Sequence, residues 1–152
     1  MYWLGHVALG YICGKIIAKQ VKLKVITPLL FLASIFPDVD MVFNPFGWQH
    51  QGPLHSPLTI LFLSIPFIVM FRCKFLPYLA AALSHPALGD TLTSRIMLFW
   101  PLGTTAWGYH LPLGGTVDSF IEQVAFSLCL VAMVRAKDLS VSLRHIWFNL
   151  LD

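Results

Sequence analysis

The chain has 152 residues, of which 57% are hydrophobic and only 11% are charged. Its mean hydropathy is +0.74, and soluble domains average roughly 45–50% apolar residues. One core of this size cannot bury the excess, so the composition excludes an ordinary soluble domain. It predicts a single integral membrane domain over residues 1–152. The formal charge of +3 is small and its basic residues are regularly spaced, which argues against a nucleic-acid-binding surface.

Five apolar segments follow one another along the chain, at residues 2–18, 25–37, 53–71, 75–90 and 117–134. A bilayer-crossing helix needs about 20 residues. The shorter segments must therefore continue through the polar motifs at their ends, which is the interpretation favoured here, or dip only partly into the lipid. The predicted fold class is all-α: a polytopic membrane helix bundle of about five segments. An amphipathic helix lying in the membrane interface is predicted to follow at residues 138–152.

Basic residues lie at one end of these segments, and the histidines and acids lie at the other. The basic end holds Lys15, Lys19, Lys22, Lys24, Arg72, Lys74, Arg135, Lys137 and Arg144. The opposite end holds His6, Asp38, Asp40, His50, His55, His85, Asp90, His110, Asp118 and Glu122. The positive-inside rule makes the basic end cytoplasmic. The sequence thus predicts a protein of the inner (cell) membrane whose polar site faces the non-cytoplasmic side.

Residues 96–116 contain no acidic, lysine or arginine residue, but prolines and glycines interrupt them repeatedly. Unpaired backbone groups are costly in lipid, so this stretch is too irregular to cross the membrane as a helix. It is predicted to form a lid or re-entrant loop over the outer face. Whether its His110 joins the site is left open.

Two carboxylates and two imidazoles crowd into one short stretch, Asp38-Val39-Asp40 and His50 to His55. Carboxylate oxygens and neutral imidazole nitrogens are common ligands of divalent metals. Turn-forming residues between them, including Gly47 and Gly52-Pro53, allow both halves to approach one point. The alternative, a helix end with acids facing water, is disfavoured because carboxylates at a helix C-terminus are electrostatically unfavourable. Half of a metal site is therefore predicted here.

A second pair, His85 and Asp90, lies at the outer end of the fourth segment. A spacing of four residues would put both on one helix face, whereas the spacing here is five. Pro86 and Gly89 predict a loosened helix that brings the pair together. The predicted metal ligands are His6, Asp38, Asp40, His50, His55, His85, Asp90 and Glu122. The predicted cofactor is a divalent metal ion, with zinc favoured and manganese or iron as alternatives.

Arg95 is the one basic residue predicted on the outer face. It could anchor the protein at the interface, or clamp a substrate phosphate with its planar guanidinium group. Glu122 lies in an apolar helix and requires a partner, either the metal or Arg95. Asp118 shares the helix face of Glu122, and whether it joins the site is left open. Ser56 is predicted to cap the third helix.

A resemblance to a known family rests on the ordered motifs His6, Pro37-Asp38-Val39-Asp40, His50-x-Gly52-x-x-His55-Ser56, Ser84-His85 and Asp90-x-Leu92-Thr93. From His6 to about Pro101 the chain resembles the YdjM-like family of membrane-bound metal-dependent hydrolases. It departs from that pattern at Gln51, where the family has arginine, and by one extra residue between His85 and Asp90. More distantly, the ligand order is similar to that of the all-helical zinc phospholipase C and P1 nuclease group. That likeness implies that Glu122 is a late carboxylate ligand.

Together these features predict a membrane-embedded hydrolase that acts at the outer face on a phosphoester of a lipid or lipid-linked substrate. Its expected partners are membrane lipids, without nucleic acid. The residues expected to take part in catalysis are Asp38, Asp40, His55 and Arg95. The alternatives are a non-enzymatic metal-binding transport or sensor module and a purely structural metal site. A transporter needs polar residues through the full depth of the membrane, and the inner halves of these segments are almost purely apolar. Substrate and oligomeric state are left open.

Overall fold

A computed structural model describes residues 3–47, 50–109 and 115–138 of the chain. These residues form six α-helices, labelled α1 to α6, which span Trp3–Gln20, Thr27–Ile35, Pro57–Phe71, Leu76–Ser84, Thr91–Thr93 and Thr116–Arg135. Shorter helical turns join them: 3-10 helices at Phe36–Phe46, Pro53–His55 and Arg72–Phe75, and a π-helix at His85–Asp90. Within the described residues the only extended pairing is an isolated antiparallel bridge between Ile96 and Trp107. The all-α prediction is confirmed, and the predicted C-terminal helix lies outside the described residues from 139 onward.

Helix α1 is central to the packing, with contacts to α2, α4 and α6. Its glycines permit close approach: a Cβ at Gly10 would collide with Ser34 of α2. A Cβ at Gly14 would press on the Leu30 side chain and on the Pro77 backbone of α4. Small residues serve the same purpose in membrane bundles, where close van der Waals contact drives helix association. The two contacts with α2 show that it runs antiparallel to α1. The contact of Gly14 with Pro77, together with the stacking of the His6 ring on the His85 ring just beyond α4, shows the same for α4.

The chain reverses between α3 and α4. Arg72 takes a positive φ of 50° where α3 ends. The rings of Phe67 and Phe75 then stack with centroids 5.4 Å apart. Nearer the other end of the pair, Ile60 shares a buried cluster with Leu79. The two helices therefore form an antiparallel pair.

Helix α6 runs parallel to α1, because contacts between them advance in the same direction along both helices. The Gly5 amide donates to Glu122 Oε2 at 3.2 Å, and further along α1 the Tyr11 hydroxyl donates at 2.7 Å to Asp138, just beyond the end of α6. One end of the protein, called the His–Asp end, thus gathers the residues His6, Asp38, His55, His85 and Asp90. The other, called the lysine end, carries Lys22, Lys24 and Lys74. From His6 to the end of α1 at Gln20 the helix rises about 21 Å, which separates the two ends.

Two helical stretches among the described residues are long and apolar enough to cross a membrane. They are Thr27–Phe46 and Pro57–Thr93, with mean hydropathies of 1.4 and 1.8. The second stretch contains both α3 and α4 and the reversal between them at Arg72. The prediction of five crossing segments is not supported: α2 and α4 have nine residues each, or about 14 Å of helix, against a bilayer core of about 30 Å. In the most apolar 18 residues of each stretch, only 22% and 11% are buried inside the protein. Apolar helices so poorly covered by protein suit a lipid environment rather than a soluble core.

Candidate metal centre

The first two carboxylates come from the 3-10 helix that continues α2. Asp40 is almost completely buried, and the side chain of Asp38 is 10% exposed. Their neighbours Val39 and Met41 lie at the surface. The turn therefore directs both acids into the protein and presents apolar side chains outward, as a polar site at a membrane face requires.

The loop after this turn folds back onto Asp40. Gly47 ends the 3-10 helix with a φ of 86°, a conformation that glycine adopts at no steric cost. The Gln51 amide then donates to Asp40 Oδ2 at 3.1 Å. These contacts place His50 and His55 beside the carboxylates, as the turn residues in the sequence indicated.

The π-helix at His85–Asp90 brings the side chains of these two residues together although they are five positions apart. A π-turn carries one residue more than an α-turn, and His85 Nε2 lies 3.3 Å from Asp90 Oδ2. The loosened helix predicted around Pro86 is confirmed. His85 Nδ1 lies 2.6 Å from the Ser34 carbonyl oxygen, so its N–H donates there and leaves Nε2 as the free acceptor.

Four ligand atoms lie close together, and we call them the four-atom centre: Asp38 Oδ1, His55 Nε2, His85 Nε2 and Asp90 Oδ2. Asp38 Oδ1 is 3.4 Å from His55 Nε2 and 3.3 Å from His85 Nε2. Asp90 Oδ2 is 3.5 Å from His55 Nε2 and 3.3 Å from His85 Nε2. Ligands bonded at about 2.0–2.2 Å to a tetrahedral ion are separated from one another by about 3.3–3.6 Å. These four separations match those between ligands of one divalent metal ion, and His55, His85 and Asp90 form a group that could hold it.

Unsatisfied polar atoms point to the same ligand. His85 Nε2 and Asp90 Oδ2 are buried and, although only 3.3 Å apart, form no hydrogen bond with each other or with any other described residue. Leaving a buried polar atom unpaired costs about 1–3 kcal/mol, and native structures rarely accept that cost twice at neighbouring atoms. A cation shared by both would satisfy them.

Two further histidines flank this centre on opposite sides. The His6 ring stacks on the His85 ring at 3.5 Å, and His6 Nε2 lies 3.4 Å from Asp90 Oδ1. His50 Nε2 lies 3.9 Å from Asp38 Oδ1, and the His50 side chain is 35% exposed. His6 therefore closes the buried side of the site, and His50 stands at its mouth.

Asp40 contacts the histidines rather than the four-atom centre. Its Oδ1 accepts from His50 Nδ1 at 2.9 Å. Its Oδ2 lies 3.1 Å from His55 Nδ1, close enough for ionic attraction but without hydrogen-bond geometry. A carboxylate behind a ligating imidazole fixes the ring and raises its basicity. The structure thus places Asp40, predicted as a ligand, where it orients two histidines.

Glu122 and Arg95 lie outside the groups of side chains close enough to share an ion. Those groups, whose ligand atoms lie within 4.8 Å of one another, draw on His6, Asp38, His50, His55, His85 and Asp90. Glu122 is buried and accepts from the Gly5 amide in the first turn of α1, where the helix dipole favours a carboxylate. Arg95 is exposed beyond α5. The candidates His110 and Asp118 lie outside the side chains that the structure describes.

The stretch after α5, residues 94–109, is fastened over the His–Asp end; we call it the outer loop. Gln51 Nε2 donates to Ser94 Oγ at 3.0 Å. This hydrogen bond connects the outer loop to the segment that carries His50 and His55. Ser56 occupies the predicted N-cap position of α3 but makes no side-chain cap hydrogen bond. Its hydroxyl instead lies 3.0 and 2.9 Å from the carbonyl oxygens of Leu98 and Trp100. Sequence reasoning missed this role of Ser56, because nothing in the local sequence indicates a partner 42 residues away.

These features define a class: helical proteins with extensive apolar surface and a buried histidine–carboxylate cluster at one end of the bundle. The chain belongs to the YdjM inner membrane protein family, whose model matches residues 1–149. Searches among curated proteins and among solved structures find no match. The resemblance read from the motifs is thereby confirmed at the level of the family and of the inner membrane. The hydrolase activity and the likeness to the phospholipase C group stay predictions.

Proposed function

We propose that the protein is a membrane-embedded, metal-dependent hydrolase that cleaves a phosphoester of a lipid or lipid-linked substrate. The observation that carries the proposal is the four-atom centre, with its separations of 3.3–3.5 Å and its two unsatisfied buried atoms. A purely structural cross-link has no need of a fifth group at the mouth of the site. His50 is such a group, partly exposed and hydrogen-bonded to Asp40.

The residues of the site have two kinds of role: some would bind the metal ion, and others would orient ligands or transfer a proton. Asp38, His55, His85 and Asp90 would hold the ion, and two nitrogens with two oxygens suit zinc, with manganese or iron as alternatives. When bound, such an ion would polarise a phosphoryl oxygen and lower the pKa of a water molecule toward neutrality. Asp40 fixes His50 through Nδ1, which leaves His50 Nε2 available to accept or deliver a proton.

The directions of the helices support a membrane arrangement. Helices α1, α3 and α6 run one way between the two ends of the protein, and α2 and α4 run the other way. We propose that each crosses the bilayer, with α2 extended by its 3-10 helix and α4 by its π-helix. The lysine end is then cytoplasmic, and the His–Asp end faces the opposite side at the depth of lipid headgroups.

A transport role is less consistent with the interior. Below the His–Asp cluster, α1, α2, α4 and α6 share one buried core, formed by Ala8, Tyr11, Leu30, Ala81, Cys129 and Met133. A path for ions requires polar groups or a wetted passage through this depth. Packed aliphatic side chains close it.

The test is hydrolysis by purified protein in mild detergent or nanodiscs, with metal content verified before the assay. The panel comprises phosphatidic acid, glycerophospholipids and a polyprenyl phosphate, together with water-soluble phosphoesters. We expect hydrolysis of at least one lipid phosphoester, abolished by a chelator and restored by zinc or manganese. Metal-loaded protein that cleaves none of them would contradict the proposal.

Arg95→Lys separates a substrate contact from a membrane anchor. If Arg95 clamps a phosphate bidentately, lysine keeps the charge but loses the fork. We expect activity to fall about tenfold, equivalent to one charge-assisted hydrogen bond of about 1.5 kcal/mol. Metal content should stay unchanged. Arg72→Lys at the lysine end is the matched control. Wild-type kinetics in Arg95→Lys would contradict a phosphate contact and indicate that Arg95 serves only as an anchor at the membrane interface.

A further inference from the structure

A separate cavity lies at the lysine end, remote from the four-atom centre. It has a volume of about 530 Å³ and lies between the first turn of α2, the last turns of α3 and the first turn of α4. Sites for small molecules commonly span about 300–1,000 Å³. Neither the hydrolase proposal nor the family motifs involve this cavity.

Its walls are apolar and already fixed in place. Leu29, Phe67 and Phe71 line it, and the Phe67 ring stacks on the Phe75 ring. The Tyr78 hydroxyl, on the same wall, accepts a hydrogen bond from the Ile26 amide at 3.0 Å. Because these contacts already hold the Phe67 and Tyr78 side chains, binding costs little side-chain entropy there. The apolar lining favours an apolar chain as the occupant.

The polar part of the lining is cationic. Lys22, Lys24 and Lys74 contribute to it, and none of the described lining residues is acidic. None of the three forms an ion pair within the described residues, whereas Lys15 is paired with Asp138 at 2.8 Å. Three ammonium groups beside an apolar cavity, unpaired within the described part of the chain, are complementary to an anionic headgroup with an attached acyl chain.

We propose that this cavity binds an anionic phospholipid. Its phosphate contacts Lys22, Lys24 and Lys74, and one acyl chain lies along Leu29, Phe67 and Phe71. Anionic lipids attract basic groups at the membrane surface with about 1 kcal/mol for each lysine, which is roughly fivefold in affinity. A phosphatidylglycerol headgroup meets these requirements, and the proposal does not depend on hydrolysis at the other end.

The experiment compares phosphatidylglycerol with phosphatidylcholine by native mass spectrometry of the full-length protein released from mixed-lipid nanodiscs. We expect phosphatidylglycerol to be retained preferentially. Lys22→Gln, Lys24→Gln and Lys74→Gln combined should weaken its binding about 100-fold. The matched control combines Lys19→Gln, Arg72→Gln and Arg135→Gln, which removes three charges at the same end without touching the cavity, and should keep the preference.

Leu29→Trp provides a second variant, because the larger ring occupies space that the acyl chain would take along this wall and leaves the lysines intact. It should reduce phosphatidylglycerol binding, and unchanged metal content at the His–Asp end would show that the variants are folded. Equal retention of the two lipids by wild type would overturn the proposal. So would full retention by the lysine variant, or effective competition by inorganic phosphate, which would indicate an anion site without a lipid.

Discussion

His85→Ala and Asp38→Asn are expected to purify without the divalent metal that wild-type protein retains. Each removes one atom of the four-atom centre, and Asn replaces a carboxylate by a neutral amide of nearly equal size. Asp40→Asn should act differently, because Asp40 contacts His50 and His55 and not the centre. Loss of such an orienting carboxylate lowers metal affinity about 10–100-fold. The measurement is elemental analysis after dialysis against a metal buffer of fixed free concentration.

The matched control is Asp138→Asn at the other end of the bundle. Asp138 accepts from the Tyr11 hydroxyl at 2.7 Å and pairs with Lys15, so this variant also removes a partnered carboxylate. It should keep its metal. Retention of metal by His85→Ala and Asp38→Asn alike would exclude the four-atom centre as the binding site.

The second large effect is an all-or-none difference in chemical labelling across the membrane. Phe46 is 81% exposed beside the loop that carries His50. Cys73 is an exposed native thiol in the turn between α3 and α4. In single-cysteine proteins in intact spheroplasts, an impermeant maleimide should label Phe46→Cys and spare Cys73. Gly47 is a poorer probe position, because its positive φ strains any side chain.

Permeabilised cells are the control for this labelling, and both thiols should react there. Reaction of Cys73 in intact spheroplasts, to the same extent as Phe46→Cys, would contradict the alternating arrangement of five crossing helices. It would leave the metal centre untouched, since that centre depends on contacts within the protein and not on its orientation.

Much of the candidate site was accessible from the sequence because its parts are local. Asp38 and His55 are separated by one loop rich in turn-forming residues, and His85 and Asp90 belong to one helical turn. Proline and glycine inside that turn indicated the distortion that the π-helix realises. Short-range backbone chemistry of this kind leaves a signature in the order of the residues.

The roles of Asp40 and Glu122 were less accessible, because they depend on where side chains point across long distances. The Asp40 carboxylate contacts the Nδ1 atoms of His50 and His55. Which ring nitrogen faces Asp40 depends on the orientation of each imidazole, and the sequence does not show it. Glu122 reaches Gly5 across 117 positions. The number of crossing segments was hard to predict for a different reason. Hydropathy identifies apolar residues, but it does not show where an α-helix changes into a 3-10 or π-helix. The α-helices α2 and α4 are therefore shorter than the apolar segments from which they were predicted.

The most direct measurement of the central claim is X-ray absorption spectroscopy of the wild-type protein loaded with its preferred metal. We predict an inner shell of nitrogen and oxygen only, at about 2.0–2.2 Å, with the outer-shell scattering of imidazole rings. Asp40→Asn should keep this inner shell when metal is supplied in excess. A shell containing sulfur at about 2.3 Å, or the absence of imidazole scattering, would contradict the four-atom centre.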